Sequence, residues 1–117
     1  PTPWSAANFW EMGLLTADNL RAKWLRHPDF LDTLLEPKPA PYFRRDFTLD
    51  KPIRSARAYV TGLGYFEMEL NGEKVGDEVL APVKTDYDKT VSYVIHDITE
   101  QLTQGKNTVG IILDRLV

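Results

Sequence analysis

The stretch from Ala56 to Val75, ARAYVTGLGYFEMELNGEKV, decides the expected fold of this chain. Apolar and polar residues alternate along it, which is typical of strands buried on one face. The apolar face would carry Ala58, Val60, Phe66, Met68 and Leu70. Two glycines, Gly62 and Gly64, interrupt the alternation and indicate a bend or bulge between two strands. The stretch therefore predicts two consecutive half-buried strands.

The strongest local pattern in the chain is the pair Asn71-Gly72, which directly follows the second of these strands. A two-residue type I′ turn requires positive φ at both central residues, and Asn-Gly satisfies that requirement best. We therefore expect a tight hairpin that returns through Glu73 to Val75.

Three further runs with a period of two predict more strands. In the first, Phe43, Phe47 and Leu49 alternate with Tyr42, Arg44, Asp46 and Thr48. In the second, Val91, Tyr93 and Ile95 alternate with Ser92, Val94 and His96. In the third, Val109, Ile111 and Leu113 alternate with Thr108, Gly110 and Ile112. Short strands without a repeated strand–helix–strand pattern favour a mainly all-β chain forming an antiparallel β-sandwich. Between the last two runs, residues 97–100 have the spacing of a capping box, which predicts one short helical turn.

The alternating prolines of Pro37 to Pro41 favour an extended connector and mark the clearest internal boundary. Before them, apolar residues at roughly helical spacing predict two short helices, over Ala17–Arg26 and Pro28–Leu35. We therefore expect a lead-in segment with short helices at residues 1–36 and a β-sandwich domain at residues 37–117.

Composition narrows the classes of function. The 117 residues include 14 basic and 17 acidic side chains and no cysteine, so one small soluble module without disulfides or thiolate zinc sites is expected. The net charge of −3 and scattered basic residues argue against nucleic acid. No apolar run approaches the roughly 20 residues of a membrane helix, which argues against a membrane partner. A periplasmic or extracellular location stays open.

Candidate chemistry is sparse. His27 and His96 are not at metal-ligand spacing, and Glu67 and Glu69 on one strand face are expected to form a solvated surface. Loop oxygens suited to calcium occur at Asn71, Asp77, Asp86, Asp88 and Asp97, although their spacing matches no EF-hand. Calcium is thus the one cofactor left open, and none is required.

Beyond these patterns, the chain resembles a known family. Residues 57–67, 70–77, 80–82 and 85–89, and then 93–113 in order, resemble the N-terminal domain of bacterial α-L-rhamnosidases. The sharpest matches are Gly62-Leu63-Gly64-Tyr65 and residues 85–89 (TDYDK). The flank also resembles the lead-in to that domain, so the resemblance covers nearly the whole chain.

The resemblance implies a jelly-roll-like β-sandwich attached to a larger glycoside hydrolase. Such an enzyme removes terminal α-linked rhamnose by inversion, using carboxylates of a separate (α/α)6 barrel. No acid and base pair can be assigned in this chain, so no activity is expected from it alone. The sequence departs from the family at Leu20, at Val83-Lys84 and at Asp114 to Val117. The last departure suggests that the chain stops midway through the usual domain.

Two functions from different classes follow. The first is a non-catalytic accessory domain of an α-L-rhamnosidase, which supports substrate recognition or the catalytic barrel and has the remaining enzyme domains as partners. If a rhamnose-containing carbohydrate is bound, the candidates are Tyr65, Asn71, Asp86 and Tyr87, as hydroxyl ligands and stacking rings. The alternative is a purely structural or homo-oligomerising module without sugar affinity, packed through aromatic residues such as Trp4, Phe9 and Trp10.

Overall fold

A computed structural model describes residues 2–28 and 39–114 of the chain. The chain divides into two compact units, Pro1–Thr33 and Leu34–Val117. In the first unit, the described residues form one element of regular structure, a 3₁₀ turn at Ala17–Asn19. All described strands belong to the second unit.

Within the described residues, six antiparallel strands form two sheets. Their bounds are β1 Tyr42–Leu49, β2 Arg57–Thr61, β3 Tyr65–Leu70, β4 Glu73–Lys74, β5 Tyr93–Asp97 and β6 Gly105–Asp114. One sheet has four strands in the order β1-β6-β3-β4, and the other pairs β2 with β5. The expected mainly all-β, antiparallel sandwich is confirmed.

The core lies between the two sheets. Its buried members are Phe66, Met68, Leu70, Val75 and Ile98. Partly buried residues of the other strands pack around them, among them Phe47, Ala58, Val60, Val94, Val109, Ile111 and Leu113. Because fully burying one such side chain contributes about 2 kcal/mol, this cluster is the main source of stability. The apolar face expected from Ala56 to Val75 is therefore the face that the core uses.

The Asn71-Gly72 hairpin forms as expected. Asn71 has a φ of 54° and Gly72 a φ of 86°, the positive values of a type I′ turn. Leu70 pairs with Glu73 across the turn, and the amide of Val75 donates to the Met68 carbonyl at 2.9 Å. The hairpin thus fixes the register of β3 and β4.

The bend between β2 and β3 depends on Gly64. Its φ of 152° is in a range that favours glycine, and a Cβ there would collide with the carbonyl oxygen of Asp114. The absence of a side chain lets β3 begin directly beside the end of β6, where Tyr65 pairs with Asp114.

Strand β5 places its polar histidine inside the domain. His96 is 8% exposed, whereas Tyr93 and Ile95 face outward at 37% and 39% exposure. The register pairs His96 with Ala58 on the inward side of the sheet. The strand prediction for this run is confirmed, and its more apolar face is the outer one.

The helix expected over Ala17–Arg26 is wrong, since only the 3₁₀ turn forms there. Leu20 and Trp24 remain 41% and 64% exposed, so the apolar stripe that would stabilise a helix is not buried. Short helices without tertiary packing are marginal in water. The helix expected over Pro28–Leu35 lies outside the described residues, apart from Pro28.

Candidate functional site

The loop between β4 and β5 carries two of the sugar-binding candidates on a closed turn. The Asp86 carbonyl accepts hydrogen bonds from the amides of Lys89 at 2.9 Å and Thr90 at 2.8 Å. The Asp86 carboxylate, whose side chain is 53% exposed, pairs with the Lys89 ammonium at 2.6 Å. Exposed pairs of this kind contribute little, so a sugar hydroxyl can compete for the carboxylate. Tyr87, partly buried, follows in the same turn.

Asn71 has a different environment, because its side-chain amide is bonded within the fold. Its Oδ1 accepts from the amide of Thr108 at 2.9 Å. Its Nδ2 donates to the Gln101 carbonyl at 2.8 Å and to Asn107 Oδ1 at 2.9 Å. These bonds fasten the hairpin to the start of β6 and to Gln101 before it, and a ligand hydroxyl would have to displace one of them.

The structure does not bring all four candidates to one place. Tyr65 begins β3 and Asn71 follows its end, so they lie about 20 Å apart along the strand. The amide of Phe66 donates to the Ala81 carbonyl at 2.9 Å, which ties the Tyr65 end of β3 to the loop leading to Asp86. Tyr65 is thus next to a residue bonded to the loop that carries Asp86 and Tyr87, whereas Asn71 lies at the opposite end of β3.

The carboxylates proposed as calcium ligands are dispersed. Within residues 2–28 and 39–114, no three His, Cys, Asp or Glu side chains come together to hold a metal ion. Asp97 is engaged locally: hydrogen bonds from the Thr99 hydroxyl and amide, with Arg57 nearby, hold the pKa of Asp97 below its ordinary value. Asp86 and Asp88 remain neighbours in the exposed turn.

Other singled-out residues have structural environments. Glu67 is exposed and pairs with Lys74 at 3.1 Å on the outer face of the four-stranded sheet. His96 Nδ1 lies 3.9 Å from a carboxylate oxygen of Glu78. Among the residues described, no helix is long and apolar enough to cross a membrane.

Two features escaped the sequence reasoning. The rings of Tyr59 and Tyr93 lie 6.0 Å apart on the outer face of the β2–β5 sheet. Asn107 is 1% exposed and sits at the centre of a hydrogen-bond network. The sequence did contain a signal for Asn107, because it lies two residues before Val109 and four before Ile111 and therefore faces the same side of β6 as they do.

Comparison with known sequences points to one family. The profile of the α-L-rhamnosidase N-terminal domain matches residues 51–115. Two α-L-rhamnosidases of Formosa agariphila are 41% and 33% identical to this chain over 94% and 92% of its length. The chain spans 13% and 12% of their lengths, so it is similar to a small part of each.

Solved structures give the same result. The α-L-rhamnosidase of Dictyoglumus thermophilum superimposes with a TM-score of 0.64 and 45% identity over 66% of this chain and 9% of that enzyme. The Streptomyces avermitilis α-L-rhamnosidase complexed with L-rhamnose gives a TM-score of 0.62 and 39% identity, over 64% of this chain and 7% of that enzyme. The similarity therefore extends to the fold of the strand region.

Proposed function

Since this chain belongs to the family of α-L-rhamnosidase N-terminal domains, we propose that it is a non-catalytic accessory domain that supports the catalytic part of such a glycoside hydrolase. Relatives that match nearly the whole chain are several times longer than it is. The proposed partner is the remainder of the parent enzyme.

The observation that carries this proposal is the exposure of large apolar side chains in the first unit. Trp4 is 99% exposed, Trp10 88%, Phe9 75% and Leu25 77%. Exposed apolar groups at this density mark surfaces that contact another protein, and tryptophan is the residue type most enriched among energetically important contacts. Covering these rings by the rest of the enzyme would stabilise both parts.

A chimera tests this proposal. The matching segment of the Formosa agariphila enzyme that is 41% identical is replaced by this chain, and hydrolysis of an aryl α-L-rhamnoside is measured after heating. We expect Trp10→Ser to shorten the half-life of activity about tenfold, the effect of losing one buried interface ring. Tyr42→Ser, at a 77% exposed tyrosine of β1, is the matched control and should leave the half-life unchanged. Equal half-lives for the two variants would contradict the proposal.

Sugar binding by the Asp86 turn is the second candidate. It is favoured by the exposed Asp86 carboxylate beside Tyr87, and by a relative solved with L-rhamnose bound. Calorimetric titration of the chain with L-rhamnose, in calcium and in chelator, tests sugar and cofactor together. Asp86→Ala should weaken saturable binding without unfolding the domain. Binding that requires calcium and is lost in Asp86→Ala would support an ion at this turn, where Asp86 and Asp88 are oxygen donors.

The same samples test the oligomerising alternative. A mass by light scattering that rises with protein concentration, combined with no heat from L-rhamnose, would favour a structural module that pairs with a second copy. A constant monomer mass would contradict that alternative.

A further inference from the structure

The outer face of the β2–β5 sheet has an unusual composition for a sheet face that points away from the core. We call it the Tyr59 face; its outward side chains are Arg57, Tyr59, Thr61, Tyr93, Ile95 and Asp97. A solvated strand face normally carries polar residues. Here two tyrosines and an isoleucine occupy its middle, with a charged pair at one end.

The aromatic part of the Tyr59 face has a defined geometry. Tyr59 pairs with Ile95, and the Tyr59 and Tyr93 rings lie 6.0 Å apart at an interplanar angle of 50°. This arrangement is within the favourable range for aromatic pairs, so each ring helps to hold the other. Tyr93 and Ile95 keep 37% and 39% of their surface exposed. The result is a small, ordered apolar platform.

The charged end supplies a carboxylate that is anchored through one oxygen only. Asp97 Oδ1 accepts hydrogen bonds from the Thr99 amide at 3.0 Å and the Thr99 hydroxyl at 2.7 Å, and it forms an ion pair with Arg57 Nη1 at 2.9 Å. Oδ2 accepts no hydrogen bond from the described residues, and the side chain is 58% exposed. A fixed acceptor with one oxygen available suits a ligand hydroxyl, because little side-chain entropy remains to be lost.

The strand register places the tyrosine platform and the Asp97 carboxylate close enough for one sugar ring to contact both. Arg57 is directly opposite Asp97, so Tyr59 is a diagonal neighbour of Asp97. Diagonal neighbours on one sheet face lie about 7–8 Å apart, within reach of long side chains. A pyranose stacked on Tyr59 would direct its rim hydroxyls toward Asp97 Oδ2.

We infer that the Tyr59 face binds a neutral pyranose, with a C–H face of the sugar on the tyrosine rings and a rim hydroxyl donating to Asp97 Oδ2. Only 37% and 39% of the Tyr93 and Ile95 surfaces is exposed, which leaves far less than the roughly 800 Å² per partner of a stable protein interface. The opposite charges of Arg57 and Asp97 also suit a neutral ligand. The inference uses residues other than the Asp86 turn, and it rests on the proposed function only in the choice of sugar for the first titration.

The test is an NMR titration of the 15N-labelled 117-residue chain with L-rhamnose, with glycerol as a polyol that lacks a ring. We expect saturable amide shifts within residues 57–61 and 93–97, at a millimolar half-saturation typical of one small sugar. Tyr59→Ala should raise the half-saturation concentration at least tenfold, an effect of about 1.4 kcal/mol. Tyr42→Ala, on the other sheet, is the matched control and should not change it.

A second pair of variants keeps the inference testable if Tyr59→Ala unfolds. Asp97→Asn retains the side-chain shape and should raise the half-saturation concentration about fivefold. Asp46→Asn, at a carboxylate bonded to Thr108 on the other sheet, should leave it unchanged. Shifts confined to residues 85–90, equal effects of sugar and glycerol, or no saturation would each overturn the inference. None of these outcomes affects the chimera result, which tests the accessory function separately.

Discussion

The hairpin of β3 and β4 and the segment of residues 2–28 are both rich in apolar residues, but they differ in what covers those residues. In the hairpin, Phe66, Met68 and Leu70 are 8%, 6% and 1% exposed. In the segment, Trp4 and Trp10 are almost fully exposed. The hairpin has a turn that sets its register and a facing sheet, whereas the segment has a single 3₁₀ turn. Apolar content alone therefore does not produce burial; a strand register that aligns one face is also needed.

The largest expected effect comes from removing the network that fastens the hairpin. Asn107 Oδ1 accepts from Asn71 Nδ2 and the Thr103 amide, each at 2.9 Å. Its Nδ2 donates to the carbonyls of Thr103 at 2.7 Å and Gly105 at 3.0 Å. Asn107→Ala removes these four hydrogen bonds from a buried site, so we expect the free energy of unfolding to fall by about 3 kcal/mol in urea denaturation.

Asn19→Ala in the exposed segment is the matched control for this loss. It should change the free energy of unfolding, measured by urea denaturation, by less than about 0.5 kcal/mol. A similar small effect for Asn107→Ala would mean that the network contributes no more than a surface residue does, and that the contrast between the two regions is wrong.

The second expected effect concerns the bend that starts the hairpin. Gly64→Ala introduces a Cβ that meets the Asp114 backbone, in a backbone conformation that alanine rarely adopts. We expect a loss of about 2 kcal/mol from strain and crowding, measured by thermal and urea unfolding. Gly110→Ala, where a Cβ would have nothing within 4 Å, is the control and should be neutral or slightly stabilising. If both variants behave alike, close approach at Gly64 is not limiting.

The smallest effect is an acid dependence located at Asp97. Its pKa is held below the ordinary 3.8 in the folded state, so the stabilisation is complete above that value and is lost as pH falls through the folded pKa. Urea midpoints at about pH 6 and about pH 2.5 should therefore differ less in Asp97→Asn than in the unsubstituted chain. Asp18→Asn, in the exposed segment, should keep the full difference. An unchanged difference in Asp97→Asn would contradict this assignment.

Much of the strand region could be predicted from the sequence because its determinants are local. The period of two and the Asn71-Gly72 turn act over a few residues, and both are confirmed in the structure. The mainly β fold and the family resemblance are likewise confirmed.

The remaining features depend on contacts distant in sequence. Asn107 meets Asn71 across 36 positions, and no local pattern states which asparagine will be buried. Tyr93 and Ile95 face outward because of the way β5 pairs with β2. The alternation within β5 alone does not determine which of its two faces is buried. The expected helix failed because spacing predicts an amphipathic stripe without supplying the surface that buries it. For the candidate site, the sequence suggested residue types, while their separation along β3 required the fold.

The order of strands in the larger sheet has a consequence for biosynthesis. Within that sheet β1 pairs only with β6, the last described strand, and Leu49 meets Gly105 across more than 50 intervening residues. Contacts this distant form late and slow the folding of β proteins. During translation β1 must therefore wait, unpaired, until β6 leaves the ribosome. Arg44, Arg45 and Asp46 interrupt its apolar residues, and such charges oppose aggregation of a nascent strand during that interval.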